Sequence, residues 1–166
     1  LVLGDEKLAH VADRYVDPEK VALCDPIRAR ATLHQRADWS RHFWVSAGLQ
    51  VLSGASRTLS VGVIKEMKDA NAGGSGFSFA DLAADAAGER FAEVVTSDVP
   101  SALAAQKRMR SLTDVSEVMP DVHDLPEGIH ADEFEAKYGG VSGEVTDSLA
   151  QVIMERIDAC PALRRL

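Results

Sequence analysis

The stretch DWSRHFWVSAGLQVL, residues 38–52, determines the fold that we predict for this chain. Read as a helix at about 100° per residue, it carries apolar side chains on two nearly opposite faces. One face holds Val45, Leu49 and Leu52, and the other holds Phe43, Trp44, Ala47 and Val51. Leaving either face in water would forfeit ~25 cal/mol for each Å² of apolar surface. We therefore predict a central helix that other segments cover on both sides.

The composition is that of a globular protein rich in helix. The chain has 166 residues, of which 46% are hydrophobic and 27% charged, with only 6 prolines. This length is enough for one domain with its own core. A net charge of −8 repels phosphate groups, so we expect no nucleic-acid binding and no general attraction to anionic membranes. The least polar run, residues 43–64, is interrupted by Arg57 and fits two helices and a turn better than a membrane span.

The pattern along the chain predicts an all-α fold, a single-domain helical bundle around the central helix at about 38–53. The main bundle covers 1–111, and an irregular arm or lid follows over 112–143, where Pro and Gly interrupt the helical pattern. A C-terminal helix over 144–159 packs back on the bundle. Its predicted inward side chains are Val145, Leu149, Val152, Ile153 and Ile157.

Two further helix starts follow from capping residues. Ser78 followed by Asp81 resembles a capping box with Asp in place of Glu. Asp98 precedes Val99 and Pro100 in the order typical of a helix start. The predicted buried face of the first of these helices carries Phe79, Ala83, Ala86 and Val94.

The first candidate site is a histidine and carboxylate stripe. His34, Asp38 and His42 recur every four residues, so on a continuous helix they would share one face. Such a set could ligate a metal, or Asp38 could orient His42 as a general base. The alternative is that His42 is a core histidine hydrogen-bonded to Asp38, and that His34 lies before the helix start.

A second stripe contains only acids. Asp81, Asp85 and Glu89 have the same spacing and could bind a divalent cation, as paired carboxylates do in helix bundles. The helical wheel places them roughly opposite the apolar face that includes Phe79 and Ala83. We therefore interpret this stripe as a solvated face.

Three charged residues on a further predicted helix extend the set of candidates. Lys65 and Asp69 form an i,i+4 pair that we expect to be exposed and of small energetic value. Glu66 lies at the boundary of the apolar face. If it points inward, it could meet His42.

Two other features carry weaker chemistry. The glycine-rich turn at 73–76 precedes a helix and could hold a phosphate, but it lacks the Lys of a P-loop and fits a flexible connector better. His123, Asp124, Glu127 and His130 cluster in the arm without a known metal-ligand spacing, which favours a polar surface over a metal site.

The two cysteines, Cys24 and Cys160, form no CxxC metal motif. We expect two buried or partly buried thiols, or a disulfide between them if the protein is exported. The chain begins at Leu1 rather than Met, so we also expect that a segment has been removed from its start, with an export signal as one candidate.

Three pieces of the sequence, taken in order, resemble the small uncharacterised bacterial envelope proteins of the YfiM type, which are predicted lipoproteins of unknown function. The resemblance covers about 42–88. Its pieces are His42-Phe43-x-x-Ser46-Ala47 with Leu49, then Lys65-Glu66-x-x-Asp69, then Gly74-Ser75-Gly76-Phe77-Ser78-Phe79-x-Asp81-Leu82-x-x-Asp85.

This resemblance implies a helical protein of the bacterial envelope or periplasm. It also implies that the polar motif residues meet in space, against the solvated face that the helical wheel favours. No lipidated N-terminal cysteine is present in this chain, which leaves a cytoplasmic location as the alternative.

Three kinds of function follow as hypotheses. The first is a non-catalytic structural or partner-binding role, with a protein or a small ligand as the partner. The second is a metal-dependent hydrolase that uses a divalent metal, with His42, Glu66, Asp81 and Asp85 around a bound water. The candidate catalytic residues are His42, Glu66 and Asp69, the candidate metal ligands are His42, Asp81 and Asp85, and Lys65, Ser75 and Ser78 belong to the polar motif. We favour the first role because the sequence contains no recognisable nucleophile or complete ligand set. A pocket for a small apolar ligand is a third hypothesis, which would need a cavity between helices.

Overall fold

The computed structural model describes residues 17, 19, 22, 23, 26, 30–53 and 76–164. Its helices in this part of the chain are α1 (Ala37–Ser53), α2 (Phe79–Thr96), α3 (Val99–Arg110), α4 (Ala131–Glu133) and α5 (Glu144–Ala159). Short 3-10 turns occur at Val115–Glu117, Gly140–Ser142 and Pro161–Leu163, and α4 continues into a π-helical turn, Phe134–Tyr138. The only extended pairing in the described ranges consists of two isolated bridges. The predicted all-α, single-domain fold is confirmed.

Helices α1 and α2 form the main packing pair of the fold. Trp39, Phe43 and Ala47 recur every four residues along α1 and are all buried. At the crossing, Gly88 of α2 faces the backbone carbonyl of Phe43, where a β-carbon would collide with that oxygen. The glycine therefore sets how closely the two backbones approach each other.

The predicted burial on both faces of α1 is wrong for its last turn. Val51 and Leu52 are 60% and 65% exposed. Val45 and Leu49 are only half-buried. Burial instead follows the stripe through Phe43, because this is the face that meets the small residues of α2.

Helix α2 begins as its capping residues predict. The Ser78 side chain accepts a hydrogen bond from the backbone N–H of Asp81 at 3.0 Å. Phe79, Ala83, Ala86 and Val94 are buried, which confirms the predicted face. Ala84 and Ala87 are buried as well, so α2 is packed over more of its circumference than one apolar stripe would allow.

Helix α3 also begins where its capping residue predicts. The Asp98 side chain accepts from the backbone N–H of Ser101 at 2.8 Å and caps the helix. Only Ser97 and Asp98 separate α2 from α3. The two helices form an αα-hairpin, and α3 runs back along α2.

The segment between α3 and α5 wraps around the α1 and α2 pair. Phe77 exchanges two backbone hydrogen bonds with Ile129, at 2.7 and 3.0 Å. Phe134 stacks on Phe77 with their ring centroids 4.0 Å apart, and Tyr138 packs on Phe79. These rings tie the arm to the start of α2, so it forms part of the core.

Helix α5 is the last α-helix in the described part of the chain. Ile153 and Ile157 are buried as predicted, but Val145 and Val152 are 47% and 37% exposed, so the predicted inward orientation of these two valines is wrong. The turn after α5 inserts Leu163 into the core. Among the described helices, none combines the length and the apolar character that spanning a bilayer requires.

Candidate functional site

A polar network connects α1 and α2 close to their crossing. It consists of His42 and Ser46, one turn apart on α1, and Asp81 and Asp85, one turn apart on α2. His42 Nδ1 lies 3.2 Å from Asp85 Oδ1, and His42 Nε2 lies 3.4 Å from Asp81 Oδ2. Ser46 Oγ donates a hydrogen bond to Asp85 Oδ1 at 2.6 Å. The spacing of four residues on both helices therefore lets two side chains of each helix meet two of the other.

The network is shielded from solvent. The side chains of His42, Asp81 and Asp85 are 11%, 16% and 5% exposed. Both ring nitrogens of His42 face carboxylate oxygens, Nδ1 toward Asp85 and Nε2 toward Asp81. The arrangement therefore places one imidazole ring between two carboxylates.

Glu89 continues the acidic stripe one turn beyond Asp85. Burial, followed by the nearby charges of Asp85 and Glu93, raises the pKa of Glu89 to about 7. Within the described part of the chain, Asp85 Oδ2 and Glu89 Oε1 are buried oxygens with no hydrogen-bond partner. The carboxyl of Glu89 is consequently poised to change its charge near neutral pH.

The predicted pairing of His42 with Asp38 is wrong. Asp38 pairs with Arg36 at 2.6 Å, and this guanidinium holds the pKa of the Asp38 carboxyl below its usual range. His34 lies before α1 with φ +47°, and its Nε2 is 2.8 Å from the carbonyl oxygen of Met119. The three residues do not share a helix face, because the helix begins only at Ala37.

The predicted solvated face of α2 is also wrong. Asp85 is among the buried residues of the helix, and Asp81 contacts His42 directly. The helical wheel misjudged this face because the alanines and Gly88 give it little apolar volume although they pack closely. The meeting of His42, Asp81 and Asp85 agrees with what the YfiM-type resemblance implies for these three residues.

The geometry limits the chemistry of the network. Among the residues that the structure describes, no group of three or more His, Cys, Asp or Glu side chains is arranged to hold a metal ion. Ser46 donates to Asp85 and not to His42, so it lacks the partner that would activate a serine nucleophile. What the network provides is a set of buried, directed charge contacts between two helices.

Several predicted site residues fall elsewhere. Lys65, Glu66, Asp69 and Ser75 lie outside the described residues, as do 73–74 of the glycine-rich turn. Ser78 acts as the N-cap of α2.

Ser46 and Gly88 were not among the predicted site residues. Two signals in the sequence could have indicated the role of Ser46: its spacing of four residues after His42 and its place in the first piece of the YfiM-type resemblance.

The polar cluster in the arm fastens that segment to the helices. Arg36 also binds Glu127, with Nη2 3.1 Å from Oε2. Arg156 binds Asp124 at 2.6 Å, a contact that lowers the pKa of this carboxyl to about 2. His123 contacts Asp121 at 2.7 Å, and the remaining member of the cluster, His130, is exposed. The polar surface favoured by the sequence therefore includes two ion pairs, Glu127 with Arg36 and Asp124 with Arg156.

Cys160 carries a free thiol in a buried position, so the disulfide expected for an exported protein is not formed in this structure. Its Sγ donates to the carbonyl oxygen of Arg156 at 3.4 Å. Burial raises the pKa of the Cys160 thiol to about 11. Cys24 lies outside the described residues.

In comparisons with known proteins, no protein-family model, curated protein or solved structure matches the chain.

Proposed function

We propose that this chain is a helical protein of the bacterial envelope with a structural or partner-binding role, in which the polar network fixes how α1 packs on α2. The observation that carries this proposal is the contact of His42 with Asp81 and Asp85 across the two helices. The location in the envelope rests on the YfiM-type resemblance of 42–88.

The energetics of buried charges support a role in packing. Removing two charges from water costs about as much as their attraction returns, so such a network adds little net stability. It does penalise every other arrangement of the helices, because a rotated or shifted α1 would leave Asp85 buried and unpaired. The network thus selects one register of α1 on α2, which would keep the outer faces of the bundle in a fixed position for a partner.

A metal-dependent hydrolase built on His42, Glu66, Asp81 and Asp85 is the second candidate. One observation favours it: Asp85 Oδ2 and Glu89 Oε1 are buried without a hydrogen-bond partner in the described ranges, and a cation could satisfy such oxygens. The position of both His42 nitrogens against carboxylates opposes it, because a metal ligand needs an available ring lone pair.

Metal content and stability separate the two candidates. We would purify the protein without a metal-affinity column, measure bound metals by elemental analysis, and compare thermal unfolding with and without a chelator. The packing role predicts substoichiometric metal and an unchanged midpoint. A stoichiometric metal whose removal lowers the midpoint, and which Asp81→Asn also removes, would overturn it in favour of the hydrolase.

The control for the aspartate substitution is Asp132→Asn. Asp132 is exposed in α4, so this variant loses the same charge away from the polar network. An equal loss of metal from both variants would indicate nonspecific binding to an acidic protein.

A further inference from the structure

A groove of about 360 Å³ lies between the second half of α2 and α3. Its walls are mainly apolar, formed by Phe91 and Val95 of α2 and by Ala102, Ala105 and Met109 of α3, and Gln106 adds a polar group. Its volume lies within the range of small-molecule sites. The groove is a partly open cleft with room for an apolar chain that lies along the two helices.

One end of the groove is cationic. Because α2 and α3 form a hairpin, Val95 and Ala102 lie near the link between them and Arg110 lies at the far end, roughly 12 Å from Ala102 along the helix. Arg110 lines the groove and has neither an ion pair nor a hydrogen bond from its guanidinium in the described part of the chain. It belongs to a basic last turn in a chain with a net charge of −8.

An aliphatic chain and an anionic head are the two ligand parts that match these features. Phe91 and Met109 are only partly buried, so an apolar chain between them would remove their remaining surface from water. A guanidinium fits a carboxylate in a bidentate geometry that a compact ammonium group cannot offer.

We propose that the groove between α2 and α3 binds a single fatty acid molecule, with its chain along Phe91 and Met109 and its carboxylate on Arg110. This site is separate from the polar network and does not depend on the role proposed for it.

Basic residues at a helix C-terminus also have a simpler role, because they interact favourably with the helix dipole. Lys107 can fill that role in the same turn, and it does not line the groove. The pair of variants Arg110→Gln and Lys107→Gln therefore separates a carboxylate site from a general charge effect. Both side chains are exposed, so neither substitution disturbs the core.

The test uses dodecanoate below its micellar concentration as the probe. Calorimetric titration measures affinity, and the methyl resonance of Met109 reports where the probe binds. We expect one saturable site, a shift of the Met109 resonance, about tenfold weaker binding in Arg110→Gln and less than about twofold weaker binding in Lys107→Gln. Uncharged dodecanol should bind with similar affinity to both the wild type and Arg110→Gln. Ala102→Leu should block the groove and abolish binding.

Four results would overturn the proposal. One is the absence of saturable binding. Another is equal weakening by Arg110→Gln and Lys107→Gln, which would indicate general electrostatic attraction. The third is binding that leaves the Met109 resonance unchanged. The fourth is binding to vesicles of anionic phospholipid without binding of monomeric dodecanoate. The last of these would instead assign α3 to a membrane surface, where Val99 and Leu103 are the exposed apolar residues.

Discussion

The imidazole of His42 and the carboxylate of Asp85 meet at 3.2 Å, from Nδ1 to Oδ1, where α1 crosses α2. They are 43 residues apart in the sequence, so their contact links two helices that local structure alone would not join. The proposed packing role of the polar network depends on this contact, and each member of the network has a distinct consequence when it is changed.

Asp85→Asn should destabilise the protein by about 1–3 kcal/mol, because His42 and Ser46 both lose a buried carboxylate partner. The measurement is the free energy of unfolding from urea denaturation at neutral pH. Asp132→Asn, at an exposed position, is the matched control and should change the free energy by less than about 0.5 kcal/mol. Equal effects of the two substitutions would show that Asp85 makes no special contribution.

Glu89 should make stability depend on pH. Its pKa is raised from 4.5 to about 7 in the folded protein, so the folded state binds this proton more tightly than the unfolded chain does. The proton on Glu89 therefore stabilises the folded state. This contribution is complete below about pH 4.5 and is lost as the pH rises through about 7. Glu89→Gln resembles the protonated form and should therefore match the wild type at low pH.

At about pH 8, Glu89→Gln should be more stable than the wild type by roughly 1 kcal/mol, less than the full pKa shift implies because the carboxyl retains partial contact with water. Chemical denaturation at about pH 5 and about pH 8 measures the difference. Glu155→Gln, at an exposed position on α5, is the control and should show no such change. A constant difference between wild type and Glu89→Gln at both pH values would contradict the account.

The sign of the stability change in Gly88→Ala tests how closely α1 and α2 approach each other. Replacing a glycine inside a helix by alanine ordinarily stabilises by about 1 kcal/mol. Here the new β-carbon would collide with the carbonyl of Phe43, so we expect a loss of about 2–3 kcal/mol as the helices are forced apart. Thermal and urea unfolding measure the change. A stabilised Gly88→Ala variant would show that α1 and α2 are not in such close contact.

The thiol of Cys160 should be inert in the folded protein. Its burial and its pKa of about 11 both reduce the fraction of reactive thiolate. In a Cys24→Ser background, we expect a disulfide reagent at about pH 8 to label Cys160 only after unfolding by urea. Rapid labelling of the native variant would mean that this thiol is accessible.

The sequence predicts those parts of the fold that depend on local signals. Ser78 and Asp98 define two helix starts through their capping side chains, and both helices begin at the predicted residues. Burial on α1 is predicted less well, since the period of apolar residues does not tell which of two apolar faces meets a neighbour. Val51 is exposed for this reason.

The site is only partly predictable, for two physical reasons. Asp38 has a competing partner two residues away, because Arg36 reaches it before the helix begins. The acids of α2 lie on a face whose packing comes from backbone approach at Gly88 rather than from large apolar side chains, and a helical wheel does not detect that kind of burial. Long-range contacts such as that of His42 with Asp85 become visible only when both helices are placed.

A double-mutant cycle on His42 and Asp85 tests the central claim most directly. His42→Gln, Asp85→Asn and the double variant remove the charges while keeping side chains of similar size, and urea denaturation gives the free energy of unfolding of each. If the two residues form one buried charge contact, the double variant should lose less stability than the sum of the single variants, with a coupling energy of about 1–3 kcal/mol. Effects that add within about 0.5 kcal/mol would contradict the account, because they would mean that the two side chains do not act on each other.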